Sequence, residues 1–350
     1  MPVTLKEIAA RSGVSVMAVS AVINKTTSTR VSAKKRIIIE QVAKEMGYRR
    51  NVVAQTLRGG YSRMIGVVID SHAPTWLHSI LRHIEAEATA NGYRILISEE
   101  HNSVNNVIAA YETFQQYGVD GLICLAYDYP GQKEKFQQFF TDKANVVLVG
   151  AYDQTSLPQV YIDLESVYRE ALQHFIHSGR KRLAAIIVDV PNSGQQIRLA
   201  LYRKLCSEFG IQIRIYNPKL CDTTDEFRKE TDRCIRKFII PEQLDAVLIH
   251  SDVLGAFFIS GLARHDLRVP GDVAVITDDN QTFCAALQPP MACIDHQENE
   301  IGRQAFQIML NLLKKEPVPN NTLIPCRLIL RESAGSVNFI VPQINQEKNV

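Results

Sequence analysis

The sequence has one tryptophan in 350 residues and seven cysteines with no C-x-x-C pair among them. Thiols scattered in this way exclude a disulfide framework and offer no spacing for a zinc site. Cys124, Cys206, Cys221, Cys234, Cys284, Cys293 and Cys326 therefore read as reduced, packed residues. No apolar run approaches the roughly 18 residues of a membrane span. The first residues carry no apolar signal core, so a cytoplasmic location and no membrane partner are expected. Catalytic signatures are missing too: there is no Gly-rich phosphate loop, no G-x-S-x-G elbow and no H-E-x-x-H pair. His174 and His177 share a helix turn without a third ligand, which reads as helix surface. No metal, cofactor or catalytic residue is expected.

Charge is present, but unevenly. The formal balance is only +2, yet residues 1–63 hold twelve Lys/Arg against three Glu, and the remainder holds 27 basic against 34 acidic residues. A basic head on an acidic body points to a polyanion partner at one end.

Spacing in the head supports this. Thr4-Leu5-Lys6-Glu7 is a T-x-x-E capping box, with Val3 and Ile8 as its hydrophobic staple, and predicts a helix near 5–12. Gly13 turns the chain, and Ser15 caps a second helix stapled by Val14 and Val19. Two short helices about a glycine turn are a helix-turn-helix. Val19, Val22 and Ile23 suit its core, leaving Val16, Met17, Ser20 and Ala21 on the opposite side as candidate readers of base edges. A third helix near 33–46, capped by Ser32 and closed by Gly47, offers Ile37, Ile38, Val42 and Met46 to the core. Lys34, Lys35 and Arg36 in its first turn oppose the helix dipole, which makes sense if they face phosphates. Residues 51–58 allow about two helical turns, too few to be stable alone, and predict a hinge that orders on DNA.

Beyond residue 63, apolar runs near 64–69, 94–98, 121–126 and 146–149 alternate with helix-length segments near 76–91, 103–117 and 131–142. A second series follows at 183–188, 211–216, 245–250 and 273–277, with helices near 166–178, 194–209, 224–239 and 252–264. Such alternation predicts parallel sheets covered on both faces, and two series predict two lobes. A ligand cleft then lies between the lobes, at the carboxyl ends of the strands.

The runs VTLKEIAARSGVSVMAVSAVIN and VSAKKRIIIEQVAKEMGY, the NVVAQTL segment, and the later GVDGLI, GDVAVI, QPPMACI and LILRES resemble the lactose-repressor (LacI/GalR) family over residues 3 to about 334. The resemblance implies a small all-α helix-turn-helix head (1–50), a hinge helix and linker (51–62), an α/β two-lobed periplasmic-binding-protein-like sensor (63–334) and a tail (335–350). The chain would cross between lobes near 162, 293 and 322. By position, Val16, Met17 and Ala21 would read bases, and Leu57 would wedge into the minor groove. Thr4, Ser15, Ser20 and Asn24 would contact the DNA backbone, beside Lys34. In the cleft, Arg198 would grip the ligand, Asp279 would accept its hydroxyls, Ser251 and Asp252 would form a polar pair, Trp76 would stand at the mouth, and Asp153, after the fourth strand, would join the effector site. The family's usual aromatic before the aspartate is here Asp278, and Leu201 replaces a common glycine.

Together these readings predict a homodimer, or a higher oligomer, on a pseudo-palindromic double-stranded operator, acting as a repressor under a small-molecule effector, with a sugar expected. Val16, Met17 and Ala21 cannot make a bidentate arginine–guanine contact, so thymine methyls are the expected targets. The alternatives are a cytoplasmic sugar- or nucleoside-binding protein and an α/β enzyme, neither with a DNA role.

Overall fold

The computed structural model describes residues 3–23, 30–48, 61–70, 73, 75–101, 103–125, 131–150, 156–189 and 193–335. The chain divides into two units at Ser62–Arg63. The first holds α1 (Leu5–Ser12), α2 (Val16–Ile23) and α3 (Ala33–Glu45).

Local chemistry sets the start of each of the first two helices. The Glu7 amide donates to Thr4 Oγ1 at 3.4 Å, and the Thr4 amide donates to Glu7 Oε2 at 2.6 Å, which completes the capping box. Gly13 leaves α1 at φ +64°, a conformation that costs glycine no Cβ clash. The Ala18 amide then donates to Ser15 Oγ at 3.2 Å. Ile8, Ala9, Val19, Val22, Ile39, Val42 and Ala43 form the core, with Val3 and Val14 packed against it.

Two expectations for α3 need correction. Ile37 and Ile38 are 64% and 40% exposed, whereas Ile39 is fully buried. Of three consecutive isoleucines, only Ile39 is in phase with Val42, Ala43 and Met46 at the i, i+3, i+4, i+7 spacing of one helix face. Ser32 occupies the N-cap position in extended geometry but makes no side-chain capping bond.

The second unit contains two six-stranded sheets. In the first lobe the order is β11-β5-β4-β3-β1-β2, all neighbours parallel, from β1 (Met64–Ile69), β2 (Arg94–Glu99), β3 (Gly121–Leu125), β4 (Val146–Val149), β5 (Gln159–Asp163) and β11 (Asn321–Pro325). Its helices are α4 (Thr75–Ala90), α5 (Val104–Gln116), α6 (Lys133–Phe140) and α11 (Glu298–Leu313). The two-residue period of β1 shows why both faces must be covered. Ile65, Val67 and Ile69 pack with α4 and α11, while Val68 packs with Val104, Phe114, Phe136 and Phe140 of α5 and α6.

The second lobe orders β12-β10-β9-β8-β6-β7, from β6 (Leu183–Ile186), β7 (Ile215–Tyr216), β8 (Ala246–Ile249), β9 (Ala274–Asp278), β10 (Ala292–Asp295) and β12 (Arg327–Ile329). Only β12 runs antiparallel. α7 (Leu164–His177) and α8 (Ser193–Glu208) contribute to one core, and α9 (Thr224–Cys234) and α10 (Asp252–Arg264) to the other. α9 continues as a π-helical stretch, Ile235–Ile239. The run predicted as a strand over 211–216 pairs only at its last two residues, and Ile213 is 47% exposed.

The chain passes between lobes from β5 into α7, from β10 into α11, and from β11 into β12. These passages fall at 163–164, 296–297 and 326, one to four residues beyond the expected positions. Each leaves the carboxyl end of a strand, so the carboxyl edges of the two sheets face one another. The Gln297 side chain donates to the Pro325 carbonyl, tying the second passage to the third. No described helix is long and apolar enough to cross a membrane.

Candidate nucleic-acid interface and interlobe cleft

In the head, α2 presents Val16 and Met17 outward at 42% and 69% exposure. Ser15 and Lys34 are exposed, and Ser20 is half-buried. Ala21 departs from the exposure expected of a base reader: at 4% it belongs to the covered side of α2. Thr4 is exposed, but its hydroxyl already donates to Glu7 Oε2 at 2.8 Å. Asn24 and Leu57 lie outside the described residues. The head thus presents two exposed apolar side chains on α2 and an exposed lysine in the first turn of α3.

The cleft is organised by a buried ion pair. Arg198, on α8, donates from Nε to Asp278 Oδ2 at 2.8 Å, with the two side chains 5% and 1% exposed. Tyr168 of α7 donates its hydroxyl to the same oxygen at 2.8 Å, and Arg198 Nη1 donates to the Gly194 carbonyl at 3.1 Å. Burial opposes the Asp278 charge, but Arg198 and the nearby histidines outweigh it and hold its pKa below the usual carboxylate range. The partner of the arginine is thus Asp278, the residue that departs from the family pattern, and not Asp279.

Asp279 occupies the next position with φ +68° and turns toward His296, whose Nδ1 is 3.3 Å from Asp279 Oδ1 without hydrogen-bond geometry. Burial and the neighbouring Asp252 and Asp278 raise the Asp279 pKa well above its ordinary value. Asp252 opens α10 and accepts from the Gln281 amide at 3.1 Å, so one of its oxygens is committed within its own lobe. Ser251, just before it, has φ +99°, a conformation that L-residues rarely adopt and that clusters at functional sites. Trp76 at the start of α4 meets His296 edge to face, with ring centroids 5.5 Å apart, bringing the first lobe onto the second. Asp153 lies outside the described residues.

The structure therefore brings Trp76, Arg198, Asp252 and Asp279 together with four residues the sequence reading missed as site members. These are Tyr168, Asp278, His250 and His296. Gln195 Nε2 lies 3.0 Å from His250 Nδ1. Burial, reinforced by the Arg198 charge, pushes the His250 pKa down to about 3 and that of His296 down to about 4, so both rings are neutral near neutral pH. The available signal for three of the four was position, because His250, Asp278 and His296 each stand at or just after the end of a second-lobe strand. Among the described residues no group of three His, Cys, Asp or Glu is arranged to hold a metal ion.

Comparisons with known proteins agree with both halves of this description. Residues 4–51 match the bacterial regulatory proteins of the lacI family, and residues 172–334 match the periplasmic binding protein-like domain. The lactose operon repressor of Escherichia coli (strain K12) is 26% identical over 341 residues, covering 96% of this chain and 92% of the repressor. Catabolite control protein A of Priestia megaterium is 24% identical over 339 residues, covering 95% of this chain and 99% of that protein. The Lac repressor dimer bound to operator and the anti-inducer ONPF superposes with a TM-score of 0.83 at 24% identity, covering 95% of this chain and 99% of that one. The Lac repressor bound to ONPG in its repressed state gives 0.82 at 25% identity, covering 95% and 100%. With relatives matched over nearly their full length, the chain joins a DNA-binding domain of the lacI family of bacterial regulatory proteins, residues 4–51, to a periplasmic binding protein-like domain, residues 172–334.

Proposed function

We propose that the protein is a transcriptional repressor that binds a pseudo-palindromic operator as a homodimer and is controlled by a small molecule, a sugar or nucleoside, held between its lobes. The observation that carries this reading is the pairing of two features in one chain. One is a capped helix-turn-helix with Val16 and Met17 exposed; the other is a cleft in which Arg198, Asp278, Asp279 and His296 converge. In the head, Val16 and Met17 contact thymine methyls, while Ser15, Ser20, Lys34 and Thr4 hold phosphates. Asn24 as a backbone contact and Leu57 as a minor-groove wedge are proposed from the family resemblance alone.

Ligand binding changes operator affinity because the three interlobe passages let closure favour one arrangement of the body over another. That coupling requires different ligand affinities for the two arrangements. Relatives support this reading: a solved Lac repressor is a dimer on operator with an anti-inducer, and the curated CytR and PurR relatives are transcriptional repressors.

The test is an operator selection followed by titration. Full-length protein should enrich a two-fold symmetric sequence, and Met17→Ala should relax preference at one position of each half-site. A selection that returns no symmetric site would remove the reading.

A further inference from the structure

The charge arrangement in the cleft bears on the chemical class of the effector. Arg198 is the natural group to receive an anionic ligand, but its Nε is turned onto Asp278 at 2.8 Å and its Nη1 onto a backbone carbonyl. A carboxylate fixed in place by Tyr168 therefore matches the arginine charge inside the protein. The other carboxyls around this pair add no cation: Asp279 and Asp252 are buried beside it and Glu298 follows at the start of α11, and burial raises the pKa of all three toward their neutral forms. The nearby rings of His250 and His296 are neutral. Arg331 does not redress the balance, since its guanidinium is committed to the Met291 carbonyl and to Asn280 Oδ1.

Unfilled hydrogen-bonding capacity points the same way. Among the described residues, Asp278 Oδ1 and both ring nitrogens of His296 have no hydrogen-bond partner, and both residues are fully buried. A carboxylate oxygen needs a donor, and a neutral imidazole offers one donor and one acceptor. A hydroxyl group satisfies both, because it donates and accepts. A phosphate ester at neutral pH is mainly an acceptor and would bring its charge against the Asp278 carboxylate in a poorly solvated site.

We propose that the cleft takes an uncharged, hydroxyl-rich effector and rejects its phosphate ester, with Asp278 acting as the gate by occupying Arg198. The proposal rests on the interlobe cleft being the effector site and adds the ligand's charge class to it.

Trp76 is the only tryptophan and touches His296, so its emission reports on this cleft alone. Full-length protein is titrated with inorganic phosphate and with matched pairs: glucose and glucose 6-phosphate, ribose and ribose 5-phosphate, cytidine and cytidine monophosphate. Wild-type emission should not respond to inorganic phosphate, and no ester should act at a lower concentration than its parent. Asp278→Asn, which leaves Arg198 without its counter-charge, should gain a response to inorganic phosphate at concentrations at least about tenfold lower than any acting on wild type.

A phosphate ester that outcompetes its parent on the wild type would overturn the proposal, and that arm depends on no variant. So would an Asp278→Asn protein with native circular dichroism and no gain for phosphate. The cleft reading itself fails in a different way: a compound would alter operator affinity while leaving Trp76 emission unmoved.

Discussion

Arg198 and Asp278 show how a single side-chain pair serves both stability and recognition. Breaking a buried ion pair from one side leaves an uncompensated charge, whereas replacing both partners with apolar groups removes the problem. Arg198→Met should therefore cost about 3–5 kcal/mol in urea unfolding, and Arg198→Met combined with Asp278→Leu should recover most of that loss. Equal losses in the single and double variants would mean that the cost of Arg198→Met does not come from the carboxylate it leaves unpaired. The buried His296 makes a separate prediction, about acid. Its folded pKa is about 4, against roughly 6.5 in an unfolded chain, so the unfolded state takes up the proton first as pH falls. The stability this ring contributes is complete above the unfolded value and drains away between the two. Asp279, with a raised pKa, works in the opposite sense, so the comparison must be made against a variant. The melting temperature of His296→Gln should fall less steeply with acidification over that window than that of the wild type.

Among the elements, α4 and α11 approach closely because Gly302 has no side chain. A Cβ there would sit 2.7 Å from His83 Cβ and 3.1 Å from both the Ile80 carbonyl oxygen and the Ile84 nitrogen, so backbone as well as side chain blocks it. Gly302→Ala should force the helices apart and cost about 1–3 kcal/mol, measured by urea unfolding. In the head, the phase of α3 makes a sharper comparison. Ile39→Ala should destabilise the head by about 2–5 kcal/mol. Ile37→Ala, on an exposed face, should stay within about 0.5 kcal/mol. Thermal unfolding of full-length protein followed by head-specific proteolysis would separate the two. The caps of α1 and α2 were legible in the sequence because Thr4, Glu7 and Ser15 act on amides three residues away. The phase of α3 was not, because three adjacent isoleucines satisfy more than one face until α1 and α2 are packed against them.

For the molecule as a whole, the basic head predicts that operator affinity falls linearly with the logarithm of salt concentration. Lys34→Ala should weaken binding evenly across operator variants and reduce that salt slope by about 1, whereas Met17→Ala should change sequence preference and leave the slope alone. Gel-shift titrations at several salt concentrations distinguish them, and a sequence-dependent loss in Lys34→Ala would assign that lysine a different role.

The sequence by itself determined the division into a basic helical head and an acidic α/β body, and eight of the twelve strands, because charge, capping and apolar runs are local properties. It also pointed to Trp76, Arg198 and Asp252 as members of the cleft, through resemblance to known regulators. Only the tertiary structure supplied β5, β10, β11 and β12. These are short strands, and β11 finds its partner β5 more than 150 residues earlier in the chain, so no local signal marks the pairing. The structure also decided that Ala21 is covered and that Asp278 is the partner of Arg198. Adjacent residues at a strand end point to opposite sides, so the choice between Asp278 and Asp279 depends on the register of β9 between β8 and β10.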